Sequence, residues 1–342
     1  MSQIQPSQLS QLLVPAGLAR GSREASAQFG AMRVDERRPE FVSGLPLQES
    51  ESVQLGAGHA AYVSRRVLGR DVVLMAYKVA PELRVHSVPH EDWLILFMAM
   101  NPQAAFVING REARTWELTL AAGRDGYMTA GKDRRNLAVA VRKRRMAQAC
   151  AALAGIGPED VQLQDCVLLP EQDPDWCLRR ALINASTPPG GARTSLGEFS
   201  MPTAVENDLV SLLAAQLLPA LRSAPDASPF RLDALRVVRA ATALTKTDPA
   251  PSLAEMCAAA GVSQRWLHKC FADVLGIPPY RYVRLARLSK ARERLLASDG
   301  DLTLVKTLSL SLGYRLSGRF AAEYRSVFGE NPSETLRTRL CA

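Results

Sequence analysis

Four hydrogen-bond donors, Gln264, Arg265, His268 and Lys269, fall together in the stretch "SQRWLHKCF". On a helix, Trp266, Leu267, Cys270 and Phe271 take one face at i, i+1, i+4 and i+5, and the four donors are left on the other. Such side chains on the first turns of a short helix suit base edges in a major groove, and their charges suit phosphate. A second group, Arg315, Ser317, Arg319 and Arg325, lies in "GYRLSGRFAAEYRSVFG". The chemistry on offer is hydrogen bonding and charge neutralisation, not bond making. The chain has no Gly-rich phosphate loop, no Gly-x-Ser-x-Gly and no His/Cys/carboxylate cluster. Its 4 histidines leave little for acid–base work. Neither an enzyme activity nor a cofactor is expected.

The elements that would position these groups can be read next. In "PSLAEMCAAAGVSQRWLHKCF", Leu253, Met256 and Cys257 form the apolar side of a short helix. Gly261 can end that helix in the left-handed conformation, and Ser263 can cap the next. Helix, short turn with glycine, helix is the helix-turn-helix arrangement. The layout returns in "TLVKTLSLSLGYRLSGRFAAEYRSVFG", with Gly313 at the turn and Phe320, Tyr324 and Phe328 every four residues on one face. Between the two units runs "PPYRYVRLARLSKARERLLASD". Its apolar side carries Tyr282, Leu285, Leu288, Ala291 and Leu295, and its other side Arg281, Arg284, Arg287, Lys290, Arg292 and Arg294. One long helix would hold the two units at a fixed separation, so that they could enter successive major-groove segments about 34 Å apart.

Charge supports a polyanionic partner. Residues 226–342 hold 18 Lys+Arg against 11 Asp+Glu, so they carry +7 of the chain's net +8. A basic surplus concentrated in one segment favours nucleic acid. The 6 cysteines are scattered without a Cys-x-x-Cys pair, which fits free thiols in a reducing cytoplasm. No apolar run approaches the ~20 residues of a membrane span. The first residues also lack a basic start followed by an apolar core. A cytoplasmic protein with no membrane partner is expected.

Three stretches resemble the C-terminal DNA-binding domain of AraC/XylS-type transcription regulators: "LAEMCAAAGVSQRWLHKCF", "GIPPYRYVRLARLSKARERLL" and "LGYRLSGRFAAEYRSVFGENPSETLR". Together they span about Leu232 to Arg339. "GRFAAEYRSVFGE" is similar in particular to the subgroup that includes ethanolamine-utilisation regulators. The resemblance implies a sequence-specific DNA-binding regulator, an activator working with RNA polymerase. Its base-reading positions would be Arg265, His268 and Lys269 in the first unit, and Leu316, Ser317, Gly318, Arg319 and Ala322 in the second. The second set is poorer in donors. Cys257 and Ser309 stand where the family usually has alanine. An architectural DNA binder without sequence preference is the alternative.

The expected fold class is α+β: a β-rich, cupin-like sensor domain, a linker helix, and an all-α domain with two helix-turn-helix units. The expected divisions are an N-terminal arm at 1–40, the β-rich sensor and dimerisation domain at 41–200, and a helix and linker at 201–228. The DNA-binding domain follows at 229–342, with its units at about 252–275 and 302–328. Runs such as "DVVLMAYKVA", "WLILFMAM" and "NLAVAV" between turn residues read as strands. Loops with one or two short helices are expected over 155–197. Trp93, Phe97, Phe106 and Trp116 are candidates to line a small-molecule effector pocket. "HSVPH" reads as a loop, and its His86 and His90 lack the pattern of a metal site. Arg65, Arg66 and Arg70, with Arg142 to Arg145, would either protect a sheet edge or cradle an anion. In "TAVENDLVSLLAAQLLPAL", Val205, Leu209, Leu212, Leu213 and Leu217 form an amphipathic stripe that would bury against the barrel or against the partner of a homodimer.

Overall fold

The computed structural model describes residues 44–58, 61–100, 106–121, 126–164, 166–168, 177–187, 199–222, 232–246, 250–298, 303–314 and 316–338. The expected arm at 1–40 lies outside these residues. Strands in chain order are β1 (Leu47–Gln54), β2 (Ala61–Leu68), β3 (Val72–Ala80), β4 (Leu83–Pro89), β5 (Trp93–Ala99), β6 (Phe106–Ile108), β7 (Arg111–Glu112), β8 (Leu118–Ala121), β9 (Tyr127–Gly131), β10 (Arg134–Arg142), β11 (Cys166–Leu168) and β12 (Phe199–Ser200). They form two sheets, ordered β1-β4-β9-β6-β7 and β11-β8-β5-β10-β3-β2-β12.

The apolar runs are continuous because the larger sheet is buried on both faces. Side chains alternate across a strand. In register, Leu74, Val139, Leu96 and Leu120 make one cross-strand row. That row faces helices α1 (Lys143–Ala154), α2 (Cys177–Ser186) and α3 (Thr203–Arg222). The residues between, including Val73, Met75, Ile95, Phe97 and Ala140, face the smaller sheet and meet Val85, Phe106 and Tyr127. Asn109 and Gly110, both at positive φ, turn β6 into β7 as a two-residue hairpin, the conformation that Asn-Gly favours.

Two expectations change, and one of two alternatives is decided. His86 lies within β4 rather than in a loop, since it pairs with Glu51 on one side and Met128 on the other. The four aromatics do not line one pocket. Phe97 and Phe106 belong to the core between the sheets, whereas Trp116 packs on the helix-covered face, with Arg179 over its ring. The larger sheet and its helices cover Leu209, Leu213 and Leu217 of α3, each fully buried Leu being worth about 1.5–3 kcal/mol, so this stripe is not left for a partner chain. The span 155–197 contains a 3-10 turn (Pro158–Asp160), β11 and α2; its remaining loops lie partly outside the described residues. The α+β class is the one observed.

The last third is helical: α4 (Leu232–Ala243), α5 (Leu253–Ala260), α6 (Gln264–Leu275), α7 (Pro279–Ala297), α8 (Thr303–Ser311), α9 (Ser317–Phe328) and α10 (Pro332–Thr338). One apolar cluster runs through all of it. It also takes in Val53, Leu55 and Met128 from the outer face of the smaller sheet. Among the described residues no helix is long and apolar enough to cross a membrane.

Candidate nucleic-acid interface

The first unit is built by local signals. Ser252 and Glu255 form a capping box at the start of α5: Glu255 N–H donates to Ser252 Oγ and Ser252 N–H to a Glu255 carboxylate oxygen. The Ser252 N–H, with the Ser252 hydroxyl that also donates to the carboxylate at 2.7 Å, holds the Glu255 carboxyl below its ordinary range. Gly261, at φ 64°, ends the helix with its N–H on the last carbonyls, a conformation that costs other residues about 1–2 kcal/mol. Ser263 Oγ then accepts from Trp266 N–H at 3.3 Å and caps α6. Leu267, Cys270, Phe271, Val274 and Leu275 are buried, with Phe271 edge-on to Tyr282 of α7 at 5.8 Å.

The candidate readers sit on the opposite side. Gln264, Arg265 and Lys269 are exposed and His268 is half-buried. Lys269 Nζ is tied to Asp273 at 2.8 Å and lies over the Trp266 ring at 5.6 Å. Arg265 has no hydrogen bond or ion pair among the described residues. Trp266 departs from the expected inner face and is 43% exposed. The buried arc of α6 centres on Leu267, Cys270, Phe271 and Val274, and 3.6-residue periodicity leaves position 266 on its shoulder.

The second unit repeats the plan with weaker chemistry. Leu308 of α8 and Leu312 just after it are buried, and Gly313 turns at φ 77°. Ser309 fits at the crossing because its hydroxyl donates to the Lys306 carbonyl at 2.8 Å. Phe320, Tyr324 and Phe328 are buried, and with Tyr314 they form a chain of ring contacts 4.5 to 5.7 Å apart. Tyr324 and Thr335 share a buried 2.8 Å hydrogen bond. Leu316 at the N-cap of α9 supplies no capping side chain and is 72% exposed. Ser317, Gly318, Arg319 and Arg325 are exposed; Arg315 lies outside the described residues.

Sequence reasoning missed Glu323. It accepts from Tyr314 Oη at 2.6 Å and pairs with Arg284 of α7 at 3.0 Å and Arg319 at 3.3 Å. Burial raises the Glu323 carboxyl, but the Tyr314 bond and the two arginines outweigh it and leave the net shift downward. Burial, then Glu323, pushes the Tyr314 hydroxyl up to about 12. The i, i+4 spacing of Arg319 and Glu323 was the available signal. Several linker arginines are likewise structural ties. Arg287 lies over Tyr314, and Arg292 pairs with Glu330 and lies over Phe328. Among the described residues no group of His, Cys, Asp and Glu could hold a metal ion.

Two capped or turned helix pairs, each with an exposed leading turn on its second helix, define a double helix-turn-helix domain. Residues 256–338 match the family model of a helix-turn-helix domain. The chain is 39% identical over 87 residues to a probable thc operon regulatory protein of Rhodococcus erythropolis, covering 25% of this chain and 26% of that one. It is 39% identical over 88 residues to a XylDLEGF operon transcriptional activator of Pseudomonas putida, covering 26% and 27%. A solved structure of a probable AraC family transcriptional regulator from Rhodopseudomonas palustris is 33% identical. The match covers 30% of this chain and 95% of that one, at a TM-score of 0.27. The chain spans about a quarter of the length of the curated relatives it matches. Over that part of its length the chain is similar to transcription regulators of bacterial operons, and residues 256–338 form a helix-turn-helix domain.

Proposed function

We propose that this protein is a sequence-specific transcription activator that reads two adjacent major-groove segments, one with each helix-turn-helix unit. The observation that carries this reading is the pairing of two exposed leading turns, on α6 and α9, across one linker helix. Gln264, Arg265, His268 and Lys269 contact bases and phosphate in the first unit. Arg315, Ser317, Arg319 and Arg325 act in the second, chiefly on phosphate. The second unit holds fewer free donors, since Glu323 engages Arg319 and Gly318 offers no side chain. The operon transcriptional activators it resembles support the activator role; in this reading the protein works with RNA polymerase in the cytoplasm. A β-rich domain at 41–200 responds to a small-molecule effector and contributes to a homodimer, while 229–342 binds DNA. The ethanolamine-utilisation-regulator-like subgroup belongs to the same proposal.

Selection of duplexes from a random pool, followed by footprinting, tests it. A discrete protected site of two half-turns is the expected result. Uniform protection of any duplex would refute sequence-specific regulation and assign an architectural role.

A further inference from the structure

The smaller sheet touches both helix-turn-helix units and the linker helix at once. Beside the first unit, Arg239 of the preceding helix α4 donates to the Gly126 carbonyl at 2.5 Å and to Asn109 Oδ1 at 3.4 Å. Gly110 abuts Val274 near the end of α6, where an added Cβ would lie 3.4 Å from Val274 Cγ2. At the second unit, Gln54 Nε2 donates to the Val327 carbonyl, in the last turn of α9, at 2.8 Å, and Gly58 N–H donates to the same oxygen at 2.9 Å. Along α7, Arg84 donates to Tyr282 Oη at 2.7 Å and Gln54 N–H to Ser289 Oγ at 3.3 Å.

We infer that Gln54 and Arg84 are positioning residues for DNA reading: the smaller sheet braces the two units from behind and fixes the half-site spacing the protein accepts. This rests on the function proposed above. Four observations carry it. The contact is dry, with Gln54 at 4% and Arg84 at 1% exposure, beside Val53, Leu55 and Met128 in the apolar cluster of the DNA-binding half. A buried guanidinium is tolerated only when well partnered, and Arg84 has Tyr282, Thr242 at 3.3 Å and Glu51 at 3.5 Å. The Val327 carbonyl is one of the last four of its helix, which lack intrahelical partners, so Gln54 and Gly58 answer a need of the second unit itself. Finally, each 12-residue reading helix is about 18 Å long. The brace meets Val274 and Val327 near its tail, while the candidate readers other than Arg325 lie on its leading turns and Arg325 stays exposed. The brace therefore holds the units without covering the face they present.

A one-base-pair insertion displaces one half-site by about 3.4 Å and rotates it by about 35°, so a braced pair of readers tolerates it poorly. The test uses the full chain and a duplex that the wild-type protein selects from a random pool. Zero, one or two base pairs are inserted between its half-sites. Gln54→Ala removes the bond to Val327, and Tyr282→Phe removes the Arg84 acceptor while keeping the ring; circular dichroism and melting confirm folding below the transition. Wild type should lose about tenfold or more per insertion, the scale of one mismatched base pair, and either variant about threefold or less. Folded variants that keep the wild-type penalty overturn the brace. Tighter binding by the variants on the uninserted duplex also overturns it, because the contact would then oppose binding. A wild-type protein that selects no duplex would sink the regulator reading itself, and this inference with it.

Discussion

Replacing Arg265 with alanine separates base reading from phosphate binding. The side chain is exposed and has no protein partner among the described residues, so stability should stay within about 0.5 kcal/mol. Loss of one well-made base contact costs about 1–3 kcal/mol, or roughly 5- to 150-fold in affinity. Lys269 differs, because its ammonium must first leave Asp273, 2.8 Å away. Breaking an exposed pair of this kind costs about 0.3–0.5 kcal/mol, so Lys269→Ala should lose less than Arg265→Ala by about that amount. Asp273→Asn should recover it as tighter binding by the otherwise wild-type chain. Fluorescence anisotropy with a labelled selected duplex and a scrambled one, at several salt concentrations, measures all three variants. The expected result is a loss for Arg265→Ala on the selected duplex only, with the salt slope unchanged. An equal loss on both duplexes, with the slope smaller by about 0.9, would make Arg265 a phosphate contact. No loss on either would mean that the leading turn of α6 does not meet DNA.

Three variants of the second unit give further outcomes. Leu316→Ser should stabilise the protein by about 1 kcal/mol in chemical denaturation, because the N-cap of α9 is extended, at φ −123°, and lacks a side-chain acceptor. Tyr324→Phe should destabilise it by about 1 kcal/mol, because Thr335 already donates to Glu330 and so accepts from Tyr324. Glu323 has a depressed carboxyl, so its contribution is present above the unfolded carboxylate range and fades as pH falls through the lower folded value. Urea titrations should therefore show Glu323→Gln less stable than wild type at pH 7, with the difference shrinking below about pH 4.5. The same variant should bind scrambled DNA more tightly, since Arg284 and Arg319 lose their carboxylate.

Much of the DNA-facing half was legible because its signals are local. Gly261, Ser263, Gly313 and the Phe320, Tyr324, Phe328 stripe act within a few residues of themselves, through φ, a cap bond or helical periodicity. Trp266 escaped that logic, because the width of the buried arc depends on what packs against the helix. His86 and Trp116 were misplaced for a related reason: alternation predicts two faces, but not which neighbour covers each.

The sequence by itself determined the two helix-turn-helix units, their arginine-bearing connector and the concentration of positive charge, since these depend on spacing along one strand or helix. Tertiary structure alone decided that the larger sheet covers the leucines of α3, that Glu323 gathers two arginines and a tyrosine, and that Gln54 and Arg84 reach across to the reading domain. Gln54 and Val327 are 273 residues apart in the chain, and Arg84 and Tyr282 are 198 apart. No periodicity connects such positions; only the burial that folding imposes brings a polar side chain to distant acceptors that satisfy it.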